Sequence, residues 1–257
     1  MAAPDTPDAP GAADKPPSMV ARAFTIIDAI GPEDQGLSMG ELARRTGIPK
    51  PTVHRLVVEL ESLGVLRRTD RGAVLAARLF ELGLRVRAQQ ALRDIALPFM
   101  EDLFVATHAT VHLAVLADAE ILIVEKINGH DMAPTPSKVG GRGPVHCTAL
   151  GKALLAHSGT AQRRKVIERG LHPMTPYTNV DPRRLVDELE LTRARGYATE
   201  LEESSLGIAC AAAPIFDHGR RVVGAVSIAT SKHRYGPEAL AMPVRTAAAA
   251  ITRQLAR

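Results

Sequence analysis

The stretch LSMGELARRTGIPKPTVHRLVVELESLGVLRR, residues 37–68, decides the fold. Ser38 with Glu41 three places later has the spacing of a capping box, which predicts a helix over 38–45 with Leu42 and Ala43 on its buried side. Gly47 permits a tight turn, and Pro49 and Pro51 suit the first turn of a further helix. In that helix Val53, Leu56, Val57, Leu60 and Leu63 form one apolar stripe, which Gly64 ends. Its other face carries Lys50, Thr52, His54, Arg55, Glu59 and Ser62, with the basic and hydroxyl groups nearest the N-terminal end. Upstream, Ala23, Phe24, Ile26, Ile27 and Ile30 predict an amphipathic helix starting at Val20 and ended by Gly31-Pro32. Downstream, residues 66–75 read as a short hairpin turning at Asp70–Gly72. Helix, helix, glycine turn, helix and basic hairpin in that order predict a winged helix-turn-helix. A helix end entering a DNA major groove needs donors for phosphates and base edges, and this one has them.

Charge supports the same module. Residues 42–72 hold seven basic groups against three acidic ones, while residues 1–41 sum to −5 and the whole chain only to +4. A local basic cluster is a phosphate footprint in a way that a mild overall balance is not. A protein-interaction adaptor would need apolar side chains on the outer face of the third helix, and the sequence puts polar ones there. Aromatic residues make up 3% with no Trp, which excludes single-strand binding by base stacking.

The 257 residues suffice for two domains. The longest run without Asp, Glu, Lys or Arg is 15 residues, Leu103–Ala117, too short for a membrane-spanning helix of about 20 residues. The first residues lack a basic head followed by an apolar run, so no secretory signal is read, and a cytoplasmic protein is expected. Residues 1–17 read as a disordered tail, 18–76 as the winged helix-turn-helix, 77–100 as a linker helix with dimer contacts, and 101–257 as a third region. The linker pattern runs from Ala76 to about Glu101, with Pro98 expected to kink or restart it. Beyond it, strands are expected at 110–117, 121–127, 197–202, 208–216 and 222–230. Helices are expected at 148–157, 161–169, 182–195 and 237–256. Hairpin-ordered strands mixed with helices predict an α+β domain with an antiparallel sheet.

Enzyme motifs fail on their residues. Gly151-Lys152-Ala153 resembles a phosphate loop, but position 146 is His and Ala153 lacks a hydroxyl for magnesium. Cys147 and Cys210 read as small buried residues rather than nucleophiles. Zinc held by His146, Glu200 and Cys210 has no support from spacing, and no cofactor is expected. The rival reading is a small-molecule enzyme whose N-terminal module only mediates oligomerisation. Ligand sensing is favoured, because Cys210 and Ser227 on adjacent strands can face one cavity. The helix starting near Thr148 offers its first N–H groups to an anion.

RAFTIIDAI (22–30) and residues 37–68 resemble the DNA-binding half of IclR-type transcriptional regulators. VGGRGPVHCTALGKALLA (139–156), RGYATELEESSLGIACAAAPIFD (195–217) and VVGAVSIAT (222–230) resemble that family's effector domain. The resemblance implies a GAF-like or profilin-like sheet, operator DNA as partner, a homodimer or dimer of dimers, and no enzymatic activity. It implies DNA contacts at Arg22, Lys50, Thr52, His54, Arg55 and Arg71, with Arg55 reading a base and Lys50, Arg22 and Arg71 on phosphates. It implies an effector site at the backbone of Ala149 and Leu150 and the side chains of Glu200, Cys210 and Ser227. Ala229 stands where the family often has a second hydroxyl, so the expected effector is a small organic acid with an apolar or aromatic body and a hydroxyl or keto group. Glu200 is expected to accept from that hydroxyl. The expected role is a regulator, more often a repressor, of a catabolic operon.

Overall fold

A computed structural model describes residues 17–129, 137–234 and 236–256. The expected tail lies, apart from Pro17, outside the described residues. The chain divides into two compact units, the first ending at Val86 and the second beginning at Arg87.

The first unit contains α1 (Met19–Asp28), α2 (Met39–Thr46), α3 (Lys50–Ser62), the hairpin β1 (Leu66–Thr69) and β2 (Gly72–Leu75), and α4 (Ala77–Gly83). Ser18 and Ser38 cap α1 and α2 by accepting from the amides of Ala21 and Glu41. Only half of the expected capping box forms, because the Glu41 carboxylate turns to Arg44, at 2.6 Å, and to Arg45, at 3.7 Å. Ile26, Leu42, Val53, Leu56, Val57, Leu66 and Ala73 build the core. Leu37 exchanges two backbone hydrogen bonds with Ala73, locking the hairpin to the start of α2. Gly72 makes this possible: its φ is +128°, and a Cβ there would lie 2.3 Å from the Leu37 carbonyl oxygen.

Two expected core residues are not buried. Phe24 is 60% exposed and Leu63 55%, since a three-helix core is filled by the Ile26 and Leu56 rows and the flanks of each stripe stay outside. The expected single helix from Ala76 to Glu101 is two helices. α4 stops at Gly83, a residue of low helix propensity, and α5 (Arg87–Thr107) then runs through Pro98 as one helix without restarting there.

The second unit adds β3 (Thr110–Ala117), β4 (Glu120–Ile127), β5 (Arg142–Pro144), α6 (Ala149–Ala156), α7 (Thr160–Glu168), α8 (Pro182–Arg195), β6 (Ala198–Leu201), β7 (Ile208–Phe216), β8 (Val222–Ser231) and α9 (Ala241–Leu255). A short 3-10 turn, Pro237–Leu240, begins the last helix. The strands form one antiparallel sheet in the order β5-β4-β3-β8-β7-β6, so the α+β expectation holds. The sequence analysis missed β5, because three residues containing Gly and Pro carry no period.

Alternation sorts the sheet into two faces. Val111, Leu113, Ala211, Ile215, Val226 and Ile228 pack with Leu92, Met100, Val244 and Ile251 of α5 and α9. Ala114, Ile123, Ala198, Ala212 and Ala225 lie under Leu150, Ala153 and Leu154 of α6 and Leu185 and Leu189 of α8. α6 approaches its own entry loop so closely that a Cβ on Gly151 would lie 2.2 Å from the Val145 carbonyl oxygen. Gly151→Ala should therefore force α6 off its seat and destabilise the second unit by about 1–3 kcal/mol, as overpacking does. Denaturant unfolding checks this, and a change below about 0.5 kcal/mol would show that the contact is unimportant.

Candidate functional site

In the first unit, internal pairing separates two kinds of basic residue. Arg45 holds Asp34 through two hydrogen bonds of 2.7 and 2.9 Å, Arg44 pairs with Glu41, and Arg68 pairs with Glu61 at 2.9 Å. Lys50, Arg55, Arg67 and Arg71 are exposed and have no carboxylate within ion-pair distance among the described residues. Lys50 is the first residue of α3, His54 and Arg55 project from its outer face, and Thr52 is half-buried beside them. Arg22 is half-buried on α1, and Arg71 sits at the tip of the hairpin. The Nη2 of Arg55 lies 3.7 Å from the Met19 sulfur. Arg67 was missed by the sequence reading. The exposed, unpaired arginine next to the paired Arg68 is distinguishable only once Glu61 is seen to take Arg68.

In the second unit, a cavity of about 390 Å³ lies on the sheet face beneath α6. Ala149, Leu150, Glu200, Cys210 and Ser227, expected at one site, all line it. Ile121, Ile123, Ile208, Met174 and Ala229 give it an apolar body. The register explains the convergence: Glu200 opposes Cys210, Cys210 opposes Ala229, and Ser227 opposes His112, so all share one face of the sheet. At the start of α6, Thr148 caps the Gly151 amide at 3.1 Å, while the amides of Ala149 and Leu150 have no acceptor among the described residues. Ser227 is 2% exposed, and its hydroxyl has no protein partner among the described residues.

Glu200 already has partners in its own loop. Its Oε2 accepts from the amides of Glu203 and Ser204, at 3.0 and 3.3 Å, and its Oε1 accepts from the Ser204 hydroxyl at 2.9 Å. Cys210 stands opposite Glu200 on the neighbouring strand. The carboxylate thus holds its own loop together and has little capacity left for a ligand hydroxyl. Sequence reasoning missed His112, whose Nε2 lies 2.8 Å from the Ser137 hydroxyl, and Ser137 itself. A polar residue on the otherwise apolar strand TVHLAVLA was the available signal. Burial, with the Lys126 ammonium, pushes the His112 imidazole down to about 3, so it is neutral.

Behind the cavity wall lies a buried charge cluster. Lys152, 0% exposed, donates to Glu188 at 2.5 Å and to Glu203 at 2.7 Å. The other Glu203 oxygen is buried without a partner. Burial pushes the Glu203 carboxyl up to about 7, against the attraction of Lys152. Burial also pushes the Cys147 thiol up to about 12 and Cys210 well above the ordinary range, so neither is a thiolate nucleophile. Among the described residues no group of three His, Cys, Asp or Glu could hold a metal, and no helix is long and apolar enough to cross a membrane.

Residues 19–70 match the IclR helix-turn-helix domain, and residues 85–253 match the C-terminal domain of the bacterial transcriptional regulator IclR. The chain is 32% identical over 212 residues to the transcriptional repressor IclR of Escherichia coli K12, covering 80% of this chain and 77% of that one. It is 33% identical to the glycerol operon regulatory protein of Streptomyces coelicolor, covering 91% and 94%. The crystal structure of an IclR homolog from Microbacterium hydrocarbonoxydans, complexed with 4-hydroxybenzoate, superposes with a TM-score of 0.85 at 31% identity, covering 93% and 99%. The chain belongs to the IclR family. It is a helix-turn-helix transcriptional regulator with a C-terminal effector domain; the family is one of regulators and not of enzymes.

Glu203 supplies a pH signature. A carboxyl raised from its ordinary value to about 7 keeps its proton in the folded state after the unfolded chain has lost it. Its contribution to stability therefore falls as pH rises from about 4.5 to 7. Glu203→Gln should remove that decline, so the melting temperatures of variant and native protein should differ more at pH 7 than at pH 5, in the variant's favour. Parallel curves would mean that Glu203 is ionised throughout.

Proposed function

We propose that the protein is a cytoplasmic homodimer, or dimer of dimers, that represses a catabolic operon and changes its operator affinity when a small organic acid fills the cavity. The two amides at the start of α6 and the Ser227 hydroxyl, none with a partner among the described residues, carry the acid assignment, in a cavity whose lining also includes the cations Lys138 and Arg142. Helix N-terminal amides favour a carboxylate, and the apolar walls suit an aliphatic or aromatic body. The 4-hydroxybenzoate bound by the Microbacterium homolog is an acid of this kind. Residues 18–76 serve as the DNA-binding domain, 77–100 as the linker and 101–257 as the effector domain. Self-association is supported by Val20, Phe24, Phe80 and Val86, all exposed apolar side chains on the first unit.

The DNA contacts on this reading are Arg22, Lys50, Thr52, His54, Arg55 and Arg71. Arg55, on the outer face of α3 and free of any carboxylate, reads a base edge, while Lys50, Arg22 and Arg71 hold phosphates. Arg55→Ala should lose about 1–3 kcal/mol per half-site and relax the preference at one base pair. Lys50→Ala should weaken all sequences about equally and reduce the salt dependence of binding. Quantitative retardation of randomised operators measures both. Equal weakening by the two variants, with base preference unchanged, would remove Arg55 as the reader.

A further inference from the structure

The cavity contains one buried polar residue that the family reading does not use, His112, set directly against one that it does use, Ser227. Of its deeply buried polar side chains, Glu200 is spent on the amides of Glu203 and Ser204 and on the Ser204 hydroxyl. The half-buried Thr148 hydroxyl is also spent, on the Pro144 carbonyl and the Gly151 amide. His112, 5% exposed, and Ser227, 2% exposed, retain capacity: Nδ1 of the imidazole and the Ser227 hydroxyl have no partner among the described residues. These two residues are directly opposed on β3 and β8, which puts their Cβ atoms about 4.5–5.5 Å apart on the cavity side of the sheet. The ring is fixed from behind. Its Nε2 meets the Ser137 hydroxyl at 2.8 Å, and the Ser137 carbonyl accepts from Lys126 at 2.8 Å.

We propose that His112, with Ser227 beside it, is the specificity-determining pair that receives a second, uncharged polar group of the effector, a hydroxyl or carbonyl. This rests on the reading of the cavity as an organic-acid site. A neutral imidazole and a hydroxyl can each donate or accept, so the pair suits a hydroxyl, which does both, and a carbonyl, which accepts. It offers no charge to a second carboxylate, and the buried Glu200 nearby disfavours one. The carboxylate of the effector goes to the amides of Ala149 and Leu150 on α6, and the uncharged group goes to the sheet. Removing the ligand hydroxyl leaves this pair buried and unsatisfied, which is the strongest form of discrimination a pocket can make.

Titration calorimetry of the full-length protein with 4-hydroxybenzoate and benzoate tests this. The native protein should prefer 4-hydroxybenzoate by about tenfold or more. His112→Phe should bring the two acids within about twofold, chiefly by weakening 4-hydroxybenzoate, and His112→Asn, which keeps a donor, should retain an intermediate preference. A role limited to holding Ser137 would instead weaken both acids equally, and that result overturns the proposal, as does an unchanged preference in H112F. If H112F does not fold, H112N alone must lower the ratio for the proposal to stand. Equal binding of the two acids by the native protein overturns the pair as a reader but leaves the acid site intact. Binding of neither acid overturns the acid reading and the proposal together.

Discussion

A fully buried ammonium must keep its partners, and in this protein Lys152 donates to two carboxyl groups, those of Glu188 and Glu203. Breaking a buried pair by removing one partner costs about 3–5 kcal/mol, because the remaining charge is stranded. The Lys152 pairings therefore tie α6 to α8 through Glu188 and to the loop after β6 through Glu203. That loop carries the amides and hydroxyl that clamp Glu200. The helix whose amides open onto the cavity and the loop that closes one of its sides are thus positioned by one side chain. Gly151, one residue earlier, sets how near α6 comes to the preceding loop.

The same logic of spent and unspent groups separates scaffold from function in both units. On the helix-turn-helix, Arg44, Arg45 and Arg68 neutralise Glu41, Asp34 and Glu61 and so brace the module. Lys50, Arg55, Arg67 and Arg71 remain exposed, with no carboxylate within ion-pair distance among the described residues. In the effector domain, Thr148, Ser204 and Glu200 satisfy backbone and one another, while two amides, Ser227 and His112 face an unfilled volume. An exposed surface ion pair contributes little to stability, roughly 0–1 kcal/mol, so what the arginine pairings chiefly decide is which cations are left over.

The fold was legible because its periods are strong. α3, α8, β3 and β7 lie where their apolar spacings placed them, and the antiparallel sheet follows from hairpin order. β5 was not legible, because Arg142-Gly143-Pro144 has no alternation to read. Phe24 and Leu63 continue helical stripes that the small core has no room to bury, and periodicity does not reveal where a core ends. Cys210 and Ser227 were placed at one cavity by their adjacent strands, whereas Ala149, Leu150 and Glu200 were named by family resemblance. The hydrogen bonds of Glu200 to Ser204 and to two backbone amides were not legible, because they depend on a turn no period encodes. His112 carried a sequence signal, a polar residue alternating with Ala114 on one strand face. Its meaning required the register that sets it against Ser227.

The central claim is that one chain couples DNA affinity to an acid in the cavity. It is tested most directly by retardation of the DNA upstream of the protein's own gene, in the presence of an acid first shown by thermal shift to stabilise the protein. The account predicts specific retardation whose half-point moves with acid concentration in step with occupancy of the cavity. Retardation indifferent to an acid that demonstrably occupies the cavity would contradict it.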